Sequence, residues 1–143
     1  MTDQQGIEAA VERSHAAVAA IIKGDADPFL ELFSHEDDAT LANPWGPPVR
    51  GINDIRATVQ RAAANYREGE VVDFERVGVL STSQVAYMFE IERFRVKLPG
   101  QDEMTPVALR VTSIFRPEGD EWRLIHRHAD PITTPRGPES LTR

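Results

Sequence analysis

The sequence contains no cysteine and no long apolar run. Without cysteine, a disulfide framework, a thiolate metal site and a cysteine nucleophile are excluded. The absence of cysteine also fits a protein of a reducing compartment. No segment approaches the apolar length of a bilayer-spanning helix. Residues 1–5 carry neither a basic leader nor an apolar stretch. We therefore expect a cytoplasmic protein with no membrane partner.

The sequence also lacks an excess of basic residues. Its 16 Lys and Arg stand against 23 Asp and Glu, and the formal net charge of −7 repels phosphate backbones, so we expect no nucleic-acid partner. A length of 143 residues with 41% hydrophobic residues is typical of one globular domain. We place that domain at residues 1–130. Residues 131–143 have few apolar anchors and are predicted to form a flexible tail.

The first half of the chain has helical periodicity in three segments. Apolar or small residues recur at three- and four-residue steps over residues 7–22, and Gly24 is placed to end this first helix. Asp27-Pro28 offers an N-cap and a first helical position for a second, short helix. A brief strand at residues 39–43 and a loop rich in Pro and Gly follow. The spacing over residues 52–66 predicts the third helix.

The second half changes to a period of two, which is typical of strands. Residues 105–116 alternate cleanly. After a turn, the partner strand puts Trp122, Leu124, His126 and His128 on one face. Residues 71–80 and 85–98 alternate less regularly, which predicts a bulge or a strong bend in each and a curved sheet.

Three helices on one side of an antiparallel sheet cover only one of its faces. The predicted outer face is half apolar and holds Arg110, Thr112, Ile114, Ile125 and, from the irregular strand, Met88. Such a face suits a homodimer formed through the outer side of the sheet. The alternative is a solvated face of mixed polarity.

Several local segments resemble one superfamily. In chain order they are Gly24-Asp25, Leu32-Phe33, Asp37 to Gly46, Val49-Arg50-Gly51, Phe115-Arg116 and Trp122 to His128. Over residues 7–130 the chain resembles the nuclear transport factor 2-like superfamily, above all its SnoaL-like and ketosteroid isomerase-related branches. The last segment also looks like the closing strand of the association domain of calcium/calmodulin-dependent kinase.

The resemblance implies an α+β fold of the cystatin-like roll type. Three helices from the N-terminal half would pack on the concave face of a cone-shaped, curved antiparallel sheet, and residues 1–130 would be a single SnoaL-like domain. The superfamily hosts isomerases, cyclases and dehydratases as well as non-catalytic modules, so fold alone does not give the activity.

The resemblance also implies that the isomerase roles are empty. Asn43 stands where that branch has its carboxylate base, and an amide cannot accept and hold a proton at neutral pH. Ser113 stands near the second acid, and Ala17 aligns roughly with the oxyanion tyrosine. A steroid isomerase mechanism is therefore not expected, although amide and hydroxyl donors can still orient a carbonyl.

The last strand supplies the predicted catalytic residues. The resemblance suggests that the face of Trp122 and Leu124 looks into the cone, which would bring His126, His128 and Asp130 inside. A His–Asp pair can act as a general base, and we predict that these three residues are catalytic. Alternatively, both histidines are buried structural donors, or His128 lies at the rim. The His-x-His pair could supply two metal ligands, but no third is evident, and we predict no metal.

The remaining predicted site residues line a pocket: Asn43, Trp45, Tyr66, Tyr87, Phe89 and Ser113. For the aromatic residues the alternative is ordinary core packing. Such a lining would suit a mostly apolar small molecule held by a few polar groups.

Two hypotheses of function follow. The first is a SnoaL-like pocket protein that binds or converts a small hydrophobic metabolite by acid/base chemistry without a cofactor, of isomerase, cyclase or dehydratase type. The second is a non-catalytic dimeric ligand-binding or assembly module of the same fold. The missing family acids favour the second hypothesis, and the polar cluster on the last strand favours the first.

Overall fold

The computed structural model describes residues 3–143, with side chains from Gly6 onward, as three α-helices and a six-stranded sheet. The elements are α1 (Asp3–Ile21), α2 (Asp27–Leu32), β1 (Thr40–Ala42), β2 (Val49–Arg50), α3 (Ile52–Ala64), β3 (Arg67–Ser81), β4 (Ala86–Lys97), β5 (Thr105–Glu118) and β6 (Glu121–Asp130). The predicted order of helices and long strands is confirmed. β2 lies in the stretch predicted to be a loop.

The strands form one curved, unclosed sheet in the order β2-β1-β6-β5-β4-β3. The long strands β3 to β6 pair antiparallel, as predicted. The short strand β1 pairs with β6 in parallel, so the sheet is mixed.

The helices cover the concave face of the sheet through apolar stripes. In α1 the buried side chains recur at helical spacing, among them Val11, Val18 and Ile22 in the following turn. α3 buries Ile55, Thr58, Val59 and Ala63. Gly24, with a φ of 97°, lets the chain turn after α1.

The start of α2 differs from the predicted cap. Asp27 is the first helical residue rather than the N-cap, and Ala26 holds the cap position without a side-chain bond. The carboxylate of Asp25 accepts the Asp27 N–H at 3.1 Å instead. The donor is thus satisfied by an aspartate two residues earlier than expected.

Bulges curve the sheet in β3 and β6. Three register shifts interrupt β3 against β4, whereas β4 pairs with β5 without a shift. Of the bulge or bend predicted within residues 85–98, the bulge is therefore wrong. A further shift lies between Ile114 and Phe115, which pair with His126 and Leu124 and leave Ile125 as the extra residue of β6.

These registers decide which side chains enter the cone. Because β4 alternates without interruption, Met88, Glu90, Glu92 and Phe94 all point inward and are at most 3% exposed. Met88, at 1% exposure, therefore does not belong to the outer face, contrary to the prediction. The extra residue in β6 shifts the alternation of side chains by one position. The residues after it therefore lie on the face of the sheet opposite to the predicted one.

The segment after β6 is mostly exposed and contains a short 3-10 turn at Pro138–Leu141. Its flexibility stays a prediction. Met1 and Thr2, with which the predicted domain begins, lie outside the described residues. Among the residues that the structure does describe, no helix has both the length and the apolarity needed to cross a membrane.

Gly69 tests the contact that fixes the end of α1 on the sheet. Its N–H donates to the carbonyl of Ile22 at 2.9 Å, and a Cβ added there would lie 2.5 Å from that carbonyl oxygen. Gly69→Ala is expected to lower the free energy of unfolding by about 2 kcal/mol, because the backbone at residue 69 must move away from Ile22 to make room for the methyl group. Denaturant unfolding measures this effect. Gly46→Ala is the control, since no atom lies within 4 Å of its added Cβ; equal stabilities of the two variants would contradict the close contact.

Candidate functional site

A cavity lies between the three helices and the concave face of the sheet. Its volume is about 60 Å³, several times what one water needs. Its apolar wall includes Val18, Ile22, Phe29, Phe33, Val59 and Phe94. Trp45, which is 49% exposed, forms part of the same wall, so the cavity extends from the interior to the surface.

The polar end of the cavity is an ion pair between Glu92 and Arg127. The two terminal nitrogens of Arg127 donate to the two carboxylate oxygens of Glu92, each at 2.9 Å. Only 12% of the Arg127 side chain and 2% of the Glu92 side chain are exposed. The guanidinium also lies over the ring of Phe29, 5.0 Å from its centroid. Both charges are thus paired away from bulk water.

The register of β6 explains why Arg127 reaches this position. Arg127 stands directly opposite Ser113, whose small side chain points inward and is 2% exposed. Burial alone would lower the pKa of Arg127, but the charge and hydrogen bonds of Glu92, together with the charge of Glu90, outweigh burial and raise it. The guanidinium therefore stays charged in the interior.

Two further polar groups, from Tyr66 and Asn43, line the cavity near Trp45. The ring of Tyr66 packs against Trp45 at 5.1 Å between centroids and edge-on against Phe94 at 5.8 Å. Asn43 uses its side-chain oxygen to accept the backbone N–H of Trp45 at 3.1 Å. Burial raises the pKa of Tyr66 to about 12, with Arg127 lowering it and Glu92 raising it further. The phenol is therefore neutral at physiological pH and lies within electrostatic range of the pair.

The predicted pocket residues divide between the two sides of the sheet. Asn43, Trp45 and Tyr66 all line the cavity. Tyr87 and Phe89 lie on the outer face instead, since the uninterrupted alternation of β4 points them away from Met88 and Glu90. Their placement in the pocket is wrong. Ser113 faces inward, as predicted, but is not part of the cavity wall.

The predicted catalytic residues lie on the outer face. His126 and His128 stand opposite Ile114 and Thr112, which share the face of the sheet away from the helices. The expectation that they follow Trp122 and Leu124 into the cone is wrong, because the extra residue in β6 reverses the alternation. Their catalytic role stays an untested prediction.

These outer residues have surface partners. Nδ1 of His126 and the Thr40 hydroxyl are hydrogen-bonded at 2.8 Å. Burial lowers the pKa of His126, and the charge of the neighbouring His128 lowers it further. Asp130 accepts from Arg110 at 2.7 Å and contacts His128 at 3.2 Å. Burial would raise the pKa of Asp130, but the bonds from Arg110 and from a backbone N–H lower it.

The sequence reasoning missed Glu92 and Arg127, and with them a second buried carboxylate. Glu90 is 2% exposed and pairs with Nε2 of His15 on α1 at 2.9 Å. His15 stacks on Phe74 with 3.7 Å between ring centroids. The sequence signal for this face was weak, because Tyr87, Phe89 and Ile91 on the opposite face are equally apolar; the uninterrupted register of β4 puts both glutamates on the buried face. Within the part of the chain that the structure describes, no group of three or more metal-binding side chains is found.

Comparisons with known proteins agree on the fold. A sequence model of the SnoaL-like domain matches residues 7–133. A ketosteroid isomerase-like protein from Erwinia carotovora atroseptica superposes with a TM-score of 0.75 at 16% identity, covering 91% of this chain and 96% of that one. A proposed dehydratase of the nuclear transport factor 2-like family from Streptomyces avermitilis gives 0.75 at 18% identity, covering 92% and 98%.

A third similar structure comes from a protein with a different role. It is a proposed association domain of calcium/calmodulin-dependent kinase type II from Thiobacillus denitrificans, with a TM-score of 0.73 at 22% identity, covering 88% of this chain and 94% of that one. The comparison with curated proteins finds no match. At these identities the structural likeness establishes the fold, an α+β cone, and not an activity.

The pKa of Tyr66 gives a pH test of the cavity wall. The pKa is about 12 in the folded chain against 10.0 for a free tyrosine. Between these values the unfolded chain loses the proton and the folded chain keeps it, so stability is intact below about pH 10 and falls as the pH rises towards 12. Tyr66→Phe is expected to weaken this fall, measured by denaturant unfolding at alkaline pH. Tyr87→Phe, on the outer face, is the control, and an equal effect of both variants would contradict the buried phenol.

Proposed function

Because the chain belongs to the SnoaL-like domain family, we propose that its cavity binds a small, mostly apolar molecule and supports its conversion by acid/base chemistry without a cofactor. The conversion would be of the isomerase, cyclase or dehydratase type. A ketosteroid isomerase-like protein and a proposed dehydratase among the similar structures support this type of reaction.

The observation that carries the proposal is a mostly hydrophobic cavity whose wall contains a few fixed polar groups. Apolar and aromatic walls provide binding energy, and a few fixed polar groups orient a ligand. Here those groups are the Glu92–Arg127 pair, the phenol of Tyr66 and the amide of Asn43. Because about 60 Å³ is less than the roughly 150 Å³ of a cavity that holds benzene, a ligand that entered beside Trp45 would place its polar end towards the pair and leave its apolar end at the opening.

The same groups suggest a division of chemical roles. The neutral phenol of Tyr66 and the amide of Asn43 are hydrogen-bond donors that could hold a carbonyl oxygen. Glu92 is the carboxylate in the cavity wall and is our candidate proton acceptor, assisted by the fixed position that Arg127 gives it. The outer-face histidines are not needed for this scheme.

Blocking the cavity tests the proposal. Ala62 lines the cavity from α3, and Ala62→Phe is expected to fill the entrance and abolish ligand binding while the helix stays folded. Binding would be screened by ligand-detected NMR with a panel of small apolar molecules that each carry one polar group.

The control is Ala57→Phe, which adds the same side chain at an exposed position of α3 away from the cavity. It is expected to bind as the unmodified protein does. If no molecule of the panel binds the unmodified protein, or if Ala62→Phe binds as well as Ala57→Phe does, the proposed cavity function is contradicted.

A second candidate function is a dimeric binding or assembly module. Val77, Leu80 and Tyr87 are 55%, 60% and 40% exposed near the β3–β4 edge of the sheet, and Tyr87 shares the outer face with Phe89 and Ile91. Exposed apolar groups of this kind are typical of association surfaces. One similar structure is a proposed association domain, which supports the same reading.

Light scattering after size exclusion tests the dimer. The chain has a mass of 16.0 kDa, and twice that mass is expected for the unmodified protein. Tyr87→Asp should yield a monomer, because a carboxylate would be buried against an apolar partner surface. Ala57→Asp, on the exposed side of α3, should stay dimeric. A monomeric unmodified protein would rule out this assembly.

A further inference from the structure

The charges inside the cavity cancel. Arg127 contributes one positive charge and Glu92 one negative charge, and each terminal nitrogen of the guanidinium meets one carboxylate oxygen. The remaining polar groups of the wall, from Asn43 and Tyr66, are uncharged at neutral pH. The cavity therefore offers hydrogen bonds without a net charge.

We propose that this cavity selects uncharged ligands, and that Glu92 is the residue that determines this specificity by neutralising Arg127. The inference rests on the proposed cavity function and adds the chemical class of the ligand. That class is a mostly apolar molecule whose polar end is neutral, such as an amide, ketone, ester or alcohol.

The cost of burying a charge gives the physical reason. An anion that entered would lose its hydration and would meet an arginine whose charge is already paired, so the cavity would acquire an uncompensated negative charge. A cation would meet a paired carboxylate and leave an excess positive charge. A neutral amide or carbonyl loses much less hydration, and it can bond to the spare donors and acceptors of the wall.

The charge of the neighbouring buried carboxylate, Glu90, also acts on Arg127 and raises its pKa, but Glu90 lies outside the cavity wall. Glu90 lies two residues before Glu92 on the same face of β4, but its side chain bonds to His15 of α1 and is not part of the cavity wall. It therefore provides a matched control. Glu90→Gln and Glu92→Gln make the same chemical change on the same strand, and only the second leaves Arg127 without its partner.

The test uses three probes of one shape and different charge. Phenylacetate, phenylacetamide and phenylacetamidine share a benzyl group and differ in whether the polar end is negative, neutral or positive. Against the unmodified protein, phenylacetamide is expected to bind about tenfold more tightly than either charged probe, as measured by NMR titration at neutral pH. Loss of binding in the Ala62→Phe variant shows that the probes bind in the cavity.

Glu92→Gln is expected to remove the difference in affinity between phenylacetamide and phenylacetate. Glutamine keeps the size of the side chain but removes its charge, so Arg127 becomes free to pair with phenylacetate, whose affinity should rise about tenfold. Glu90→Gln should leave the order as it is in the unmodified protein. If Glu92→Gln does not fold, the ranking of the three probes on the unmodified protein decides whether the cavity selects uncharged ligands.

The outcomes separate the inference from the function it rests on. If phenylacetate binds the unmodified protein as tightly as phenylacetamide does, charge selection is overturned while the cavity function stands. The same holds if Glu92→Gln folds and gains no affinity for phenylacetate. If neither these probes nor any molecule of the panel binds in the cavity, both this inference and the proposed function are contradicted.

Discussion

The buried ion pair between Glu92 and Arg127 is the interaction on which the character of the interior depends. It joins β4 to β6 across the inner face of β5, with both carboxylate oxygens engaged at 2.9 Å. Taking two charges out of water costs several kcal/mol for each ion, and only close, bidentate geometry offsets this cost. The pair therefore stabilises the fold only when both strands hold their registers.

Two features of the sheet provide those registers. β4 alternates without a break, which carries Glu92 inward with its apolar neighbours, and the extra residue Ile125 turns β6 so that Arg127 faces inward and the two histidines face outward. The helices then close over a strongly curved sheet. Because rigid helices cannot follow that curvature everywhere, space remains beneath them, and the cavity forms where α1, α2 and α3 meet the sheet.

The sequence predicted the architecture well because periodicity reports it directly. The helical spacing of residues 7–22 and 52–66 and the alternation of residues 105–116 gave the elements, and the resemblance of the segments from Gly24-Asp25 to Trp122–His128 gave their arrangement. Asn43, Trp45 and Tyr66 line the cavity, as the sequence predicted. Asn43 and Trp45 lie before β2 and Tyr66 lies after α3, so their placement does not depend on the alternation of a strand.

The polar site could not be predicted as readily, because strand parity depends on bulges that leave little trace in a sequence. A single extra residue at Ile125 exchanged the faces of Arg127 and His128. A bulge or strong bend was expected within residues 85–98, whereas β4 alternates without a register shift and carries Tyr87 and Phe89 to the outer face. Buried glutamates and arginines are also rare, so an alternating pattern that contains them is easily interpreted as exposed.

A double-mutant cycle on Glu92 and Arg127 tests the central claim most directly. Unfolding free energies would be measured for Glu92→Leu, Arg127→Leu and the double variant. We expect each single change to cost about 3 to 5 kcal/mol, because it leaves a buried charge without its partner, and the double variant to cost much less than their sum. Additive costs would show that the two side chains do not interact, and would contradict the account.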